Sequence, residues 1–501
     1  MTTRITLLLV ALSGLAVAGE QPAKMSDAFV LSAPAEHKPQ YYPRAAWNAG
    51  AKAWLVVWQD GDPTADGTGD GAAQNILAVR VSAEGKVLDG KPIEVSAANG
   101  AQMRPMVTSD GKDWLVVWHD LRNGKDWDLY AARVSGDGKV LDKDGVLLVG
   151  GEHNQCFAGV VFGSAGYYVA WLDMRHWPEY RVYGSRVSRD AKALDGRGVE
   201  LIRVMSDKEM AAWSKAPFAP GKKGIGWHNF GQKGMRGMKQ PGPPSLGTND
   251  KLYIVTTCVN IANQSRNYAV RVVDAASGKP ASAQSGFSLP SRIEMSTPNH
   301  WVRQRHAAVG EKGFISANSQ YCAGFGASGQ AYWLTTFLDA KGAPAIAGKE
   351  ARVERTFFDA SQKVPPGYRT YGLRTTMIDL AWDGKRGLFV AEHFGHKATS
   401  RKGPGTPGNM DVLALFVNSE GKRLADPAAS AAVEADAIKN KGPIVLLPEG
   451  VKIAPIQIAS GLATQAAPCT AAGPEGSFLV AWQEEEPGVD SRIMARLVGV
   501  K

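Results

Sequence analysis

Residues 54–60 read WLVVWQD, and residues 114–120 read WLVVWHD. A third version, YYVAWLD, occupies 167–173, and a fourth, FLVAWQE, occupies 478–484. After each of the first three comes a second shared pattern: RVSAEGKVLD at 80–89, RVSGDGKVLD at 133–142 and RVSRDAKALD at 186–195. A short apolar run then closes each unit. The period is about 50 to 60 residues. Every unit holds four runs rich in Val, Trp, Tyr and Leu, side chains that suit a pleated, half-buried surface. Asp-Gly, Glu-Gly and Gly-Lys pairs separate them and supply the positive φ of hairpin turns. A four-stranded antiparallel unit repeated at this period is a propeller blade.

Later copies are degenerate. A fourth starts near Pro243, a fifth near Arg303, a sixth near Thr376 and the last near Ala467, which makes seven, with six or eight as alternatives. The last copy ends without its fourth strand. Ala28–Ser32 (AFVLS) resembles Pro92–Ser96 (PIEVS), the fourth run of the first copy. The expected fold is therefore all-β: a single β-propeller spanning 19–501, closed by residues near 27–33, which protects edges that would otherwise invite aggregation. Trp58, Trp118, Trp171 and Trp482 recur at one place in four repeats and are read as core. One Ala-rich piece, Ala428 to Ile438, has the composition of a helical turn or two. Insertions are expected at about 214–240, 396–408 and 424–455.

Residues 1–18 read as a secretory signal: Arg4, an apolar run from Ile5 to Ala18, and a small-x-small end at Ala16-Val17-Ala18. The expected location is the periplasm or the extracellular space. No later run has the length of a membrane span, and the mature chain is expected to be a monomer. The net charge of +9 over 501 residues is a modest excess that favours anionic ligands over nucleic acid. Four cysteines, none in a C-x-x-C pair, leave three disulfide pairings open.

The WLVVW-x-D strand and the R-V-S-x-D-G-x-V-L-D hairpin resemble those of exported bacterial β-propeller repeat proteins. That resemblance implies fold and export; a propeller is a scaffold for many functions. The chain has no sialidase Asp-box, no regular WD dipeptide and no tryptophan-docking motif. Nor does it hold a Gly-x-Ser-x-Gly, a phosphate-binding loop or a dinucleotide fingerprint.

In a propeller, loops entering inner strands and loops joining second to third strands share one face, around the mouth of the central channel. The opposite face collects SDGKD, SAEGKVLD, SGDGKVLD, WDGKR and NSEGKRLAD, read as tight solvated turns. The mouth face collects His119, Asp120 and Arg122 in blade 2, Asp173, Arg175 and His176 in blade 3, and His393 and His396 in blade 6. Arg104, Arg303, Arg305, His306 and Arg374, with His37, His153 and His300, lead into inner strands, and His228 falls in an insertion, so that all nine histidines are placed on or near this face. Arginine recognises carboxylate or phosphate bidentately, and imidazole serves as acid, base or metal ligand. Residues 214–240 add six Lys and Arg with no acid, interleaved with Phe218, Trp227 and Phe230 and preceded by Trp213. The expectation is a binding module whose His/Arg/Lys-lined mouth takes an anionic polysaccharide or an envelope protein partner, with no cofactor and no assigned metal. One alternative is a glycan-directed hydrolase or lyase using mouth-face His and Asp, with a carboxylate pair drawn from Asp120, Asp173 and Glu484. A second is a histidine-bound metal centre. The recurrent Asp is otherwise read as a blade-to-blade hydrogen-bond acceptor.

Overall fold

The structure, a computed structural model, describes residues 24–32, 39–61, 74–177, 179–213, 240–261, 264–288, 304–309, 313–324, 327–339, 341, 354–358, 378–394, 410–419, 445–446, 452–453, 456–460, 463–486 and 490–499. Seven antiparallel sheets are present among them, and each is one blade of a β-propeller. Blade 1 runs Gln40–Asn48, Ala53–Asp60, Asn75–Ser82, Ile93–Ser96 from the channel outward, and blade 2 runs Gln102–Ser109, Asp113–Asp120, Asp128–Ser135, Val146–Val149. Blade 3 runs Gln155–Gly163, Gly166–His176, Glu179–Val187, Val199–Ile202. Each inner strand lies against the inner strand of the next blade, and the last, Thr464–Ala472, lies against the first.

Closure follows the expectation. Phe29–Ser32 is the outer strand of blade 7 and pairs with Arg492–Val498, Phe29 facing Ala495 and Val30 facing Met494. The Gly499 N–H donates to the Lys24 carbonyl at 2.9 Å. Gln40 Nε2 donates to Ser32 Oγ at 2.7 Å, so the closing strand is also tied to blade 1.

The second strands of blades 1 and 2 are buried at every residue, because both faces pack on neighbouring blades. In blade 1, Trp54, Val56 and Trp58 pack with blade 7, whereas Leu55 and Val57 pack with blade 2. Residues that alternate in direction along a strand thus read as a continuous apolar run. Trp58, Trp118, Trp171 and Trp482 are all 0 to 1% exposed. The Trp118 ring leaves no room beside it: a Cβ on Gly145 would come within 2.4 Å of the indole, and Gly145 also has φ +80°.

The hairpins on the face away from the mouth do more than turn. Arg80, Arg133 and Arg186 each grip an aspartate at the end of their own hairpin, Asp89, Asp142 and Asp195. Each also reaches into the next blade: Arg80 to the Gly136 carbonyl at 3.0 Å, Arg133 to Asp190 at 3.1 Å and Arg186 to the Ala276 carbonyl at 2.6 Å. The R…D of the repeat is a strap between blades.

Two expectations are revised. Within the 424–455 stretch, Val445–Leu446 and Lys452–Ile453 extend the sheet of blade 5, pairing outward from Glu354–Phe358. A helix at Asp207–Trp213 was not anticipated; Ser206 and Glu209 exchange side-chain-to-backbone hydrogen bonds at its start, the capping-box arrangement. The Ala428 to Ile438 piece, the signal segment and the stretches 214–239 and 396–408 lie outside the described residues. Cys156 is a buried free thiol, and Cys258 and Cys469 are buried as well. No helix among the described residues is long and apolar enough to cross a membrane.

A chain lacking residues 19–33 should lose the outer strand of blade 7, expose a sheet edge and melt lower by on the order of 10 °C; thermal melting with size-exclusion chromatography checks this. Burial works to raise the Asp142 and Asp195 carboxyls, but hydrogen bonds from Arg133 and Arg186 outweigh it and hold both below the usual range. Their stabilisation is therefore present above the unfolded value of about 3.9 and is lost as pH falls through the lower folded values. Asp142→Asn and Asp195→Asn should lower stability at neutral pH and flatten its fall below about pH 4, read by denaturant melts across pH.

Candidate functional site

Four inner strands open with a related tetrapeptide: Gln40-Tyr41-Tyr42-Pro43, Gln102-Met103-Arg104-Pro105, Gln155-Cys156-Phe157-Ala158 and Gln465-Ala466-Ala467-Pro468. In each, the register slips at this point by a β-bulge. The third residue of each has left-handed backbone: Tyr42 at φ 59°, Arg104 at 57°, Phe157 at 55° and Ala467 at 50°. Such a conformation costs about 1–2 kcal/mol for a non-glycine residue, so its recurrence needs a reason. Bulges re-aim side chains, and a bulge three residues into an inner strand sits at the mouth end of the channel.

The bulge also turns a backbone N–H toward the preceding blade, where a side chain on the second strand accepts it. Arg104 N–H donates to Gln59 Oε1 at 3.4 Å, Phe157 N–H to His119 Nδ1 at 3.4 Å, and Ala467 N–H to Glu392 Oε1 at 2.6 Å. One latch is thus made with three different acceptors, Gln, His and Glu.

Three neighbouring bulges carry the large side chains. The Arg104 guanidinium lies over the Tyr42 ring, 3.7 Å from its centroid, and 5.8 Å from the Phe157 centroid. All three residues are half-exposed. Arg104 makes no ion pair with a carboxylate among the described residues, whereas Arg80, Arg122, Arg133, Arg175 and Arg186 each do. Below the arc, the His119 ring meets Trp127 edge-on at 4.9 Å and Phe157 at 5.1 Å.

His119 is 1% exposed, and burial, with the Arg104 charge second, pushes it down to about 3. It is a neutral acceptor in the latch, which corrects its expected role as a mouth-face acid or base. Asp120 and Asp173 are also committed elsewhere. Trp118 Nε1 donates to Asp120 Oδ2 at 2.9 Å, and Arg122 adds its backbone N–H, Nε and Nη2 at 2.9, 3.0 and 2.7 Å. The Arg122 guanidinium lies on the Tyr130 ring and reaches the Asp144 carbonyl. Blade 3 repeats the arrangement with Trp171, Asp173, Arg175, Tyr183 and the Arg197 carbonyl. In blades 2 and 3 the recurrent Asp is therefore an acceptor within its own blade and not the expected blade-to-blade acceptor, and both of these Asp residues are fully buried. Glu484 is paired with Arg492 at 2.6 Å. The carboxylate pair expected across the mouth is not assembled from these three.

His176 bonds the Tyr183 hydroxyl at 2.8 Å within a network of Arg181, Glu179 and Glu200 on blade 3. His306 is placed two pairs from the turn between the first two strands of blade 5, buried against blade 4, with Nε2 2.6 Å from Thr256 Oγ1. It lies below the mouth, a correction to its expected position. Arg305 stands on the inner strand of blade 5 opposite Ala317, and His393 on the second strand of blade 6 opposite Asp411. Arg303, Arg374 and His396, with His37, His228 and His300, lie outside the described residues. Among the described residues no group of three or more His, Cys, Asp or Glu side chains is placed to hold a metal ion. Of the expected set, the structure brings Arg104 and His119 together at the mouth and pairs Asp120 with Arg122 and Asp173 with Arg175 within their own blades. Tyr42 and Phe157 were not anticipated; the repeated Gln-x-x-Pro was the available signal.

No family model matches the chain, and no curated protein does. Solved structures similar to it include a protein of unknown function from Dyadobacter fermentans, 9% identical over 96% of this chain and 99% of that one, with a TM-score of 0.43. Others are an α-L-arabinanase from Penicillium chrysogenum with arabinobiose, 10% identical over 95% and 98% with a TM-score of 0.43, and the α-L-arabinofuranosidase Arb93A from Fusarium graminearum, 11% identical over 79% and 98% with a TM-score of 0.42. The assignment as a seven-bladed propeller rests on the chain's own strand pairing.

Since Gln59 occupies the latch position in blade 1, His119→Gln should keep the latch. For wild type, the unfolded His119 takes a proton below about pH 6.5 while the folded one does not until about pH 3. Its contribution to stability is complete above about 6.5 and is lost as pH falls toward 3. The variant should remove that slope, at most about 1.4 kcal/mol per pH unit, from denaturant melts between pH 7 and 4.

Proposed function

We propose that the protein is an exported binding module that takes an anionic glycan at the mouth of the propeller channel. The observation that carries this reading is the arc of Tyr42, Arg104 and Phe157. Three neighbouring bulges present these side chains together at the mouth, and bulges re-aim side chains next to functional sites. The arc offers what a uronic-acid sugar needs. Aromatic faces take the apolar face of a pyranose ring, and a guanidinium takes a carboxylate in two parallel hydrogen bonds. Arg104 is free for that role, being held by rings and not by an acid. The net charge of +9 would favour the encounter.

Isothermal titration of the mature protein with oligogalacturonate, compared with an uncharged galactan oligosaccharide of the same length, tests the reading. Wild type should bind the acidic glycan more tightly. Arg104→Ala should weaken that binding about tenfold or more, equivalent to about 1.4 kcal/mol, without lowering Tm. Equal binding by wild type and Arg104→Ala, or no binding of any acidic oligosaccharide by wild type, would overturn it.

A further inference from the structure

A second cation shares the seam beneath Arg104. Arg44 follows the bulge of the first inner strand and faces Val57 across the sheet. Val57 belongs to the face that packs on blade 2. Gln59, two residues further along that same face, accepts the Arg104 N–H from blade 2. Side chains two apart on a strand point the same way. Arg44 and Arg104 are thus placed at one seam, between the inner strands of blades 1 and 2, with Arg44 deeper.

Arg44 is 7% exposed. Its guanidinium folds back on the bulge, where Nη1 donates to the Pro43 carbonyl at 2.9 Å. Among the described residues, no carboxylate lies within ion-pair distance of it. A cation buried without an anion is costly, and such groups are ordinarily paired. Two other partly buried arginines are paired, Arg122 with a fully buried Asp120 and Arg175 with a fully buried Asp173, while Arg271 and Arg496, more exposed than Arg44, rest on backbone carbonyls. At Arg44 the compensating charge is not supplied by the described residues, and the mouth residue placed at the same seam, Arg104, is also without a carboxylate partner among them.

We infer that this seam is an anion subsite, in which a uronate carboxylate passes below the arc and is held between Arg104 and Arg44 while its sugar ring lies on Tyr42. The inference rests on the mouth being the glycan site and adds to it the group recognised and the residue that recognises it. Arg104 with Tyr42 would serve a charged or an esterified sugar alike in part, through stacking. Arg44, buried and reached only by a small group, would read the charge itself.

The test compares trigalacturonate with its methyl ester, which keeps the rings and removes the charge, by titration against wild type, Arg44→Met, Arg44→Lys and Tyr42→Ala. Wild type should prefer the acid at least tenfold. Arg44→Met should bind the ester as wild type does and lose most of the preference. Arg44→Lys, which keeps the charge without the planar fork, should retain part of it. Tyr42→Ala should weaken both ligands by a similar factor. Thermal melts of each variant identify any that misfold, in which case the lysine variant carries the comparison. If Arg104→Ala abolishes binding while Arg44→Met keeps the full preference, the Arg44 subsite is wrong and the mouth reading stands. If neither variant changes binding, both are wrong. If hexaglutamate binds in an Arg44-dependent way and trigalacturonate does not, the glycan is the wrong ligand.

Discussion

A radial four-stranded sheet has two apolar faces and no core of its own, so a blade is stable only when both faces press on neighbours. Much in this chain follows from that constraint. The second strands are buried on both sides, which is why they read as unbroken WLVVW runs. A buried indole N–H is ordinarily given an acceptor, although those of Trp54, Trp58 and Trp482 have none among the described residues. In blades 2 and 3 the acceptor is the aspartate two residues on, and the aspartate, itself buried, requires an arginine. Trp-x-Asp-x-Arg is therefore one unit of packing and charge compensation. Its aspartates are the groups from which catalytic carboxylates would otherwise have been drawn.

The same constraint makes the mouth. Inner strands converge on the channel, and among the described residues four of them carry a bulge with a left-handed residue at its mouth end. The N–H released by each described latch goes to the preceding blade. What remains outward is a side chain, re-aimed over the channel. In blades 1 to 3 it is Tyr42, Arg104 and Phe157, whereas the corresponding Ala467 of blade 7 is buried. The latch is structural and repeated, while the side chain it presents varies from blade to blade, and that variation is where specificity can reside.

Much of the fold was legible because strand packing repeats. The WLVVW runs set the blades, and the likeness of Ala28–Ser32 to Pro92–Ser96 set the closure, since an outer strand is an outer strand wherever it lies in the chain. The site was legible only in part. Arg104 was recognised from its residue type and its place before an inner strand. Tyr42 and Phe157 were missed because left-handed backbone is ordinarily flagged by Gly or Asn, and here it falls on Tyr, Arg, Phe and Ala, enforced by the bulge. His119 was misread because the last residues of a buried strand look like the first residues of a loop. The direction in which they face depends on the neighbouring blade. His306 was misplaced because its depth is set by the register that pairs it with Ser316, two pairs from the turn.

The most direct test of the central claim is a crystal structure of the mature protein grown with trigalacturonate. The account requires a sugar ring on Tyr42 and a carboxylate within hydrogen-bonding distance of both Arg104 and Arg44. A ligand bound at the outer strands, or at the Asp120–Arg122 and Asp173–Arg175 clamps, with the mouth arc unchanged and unliganded, would contradict it.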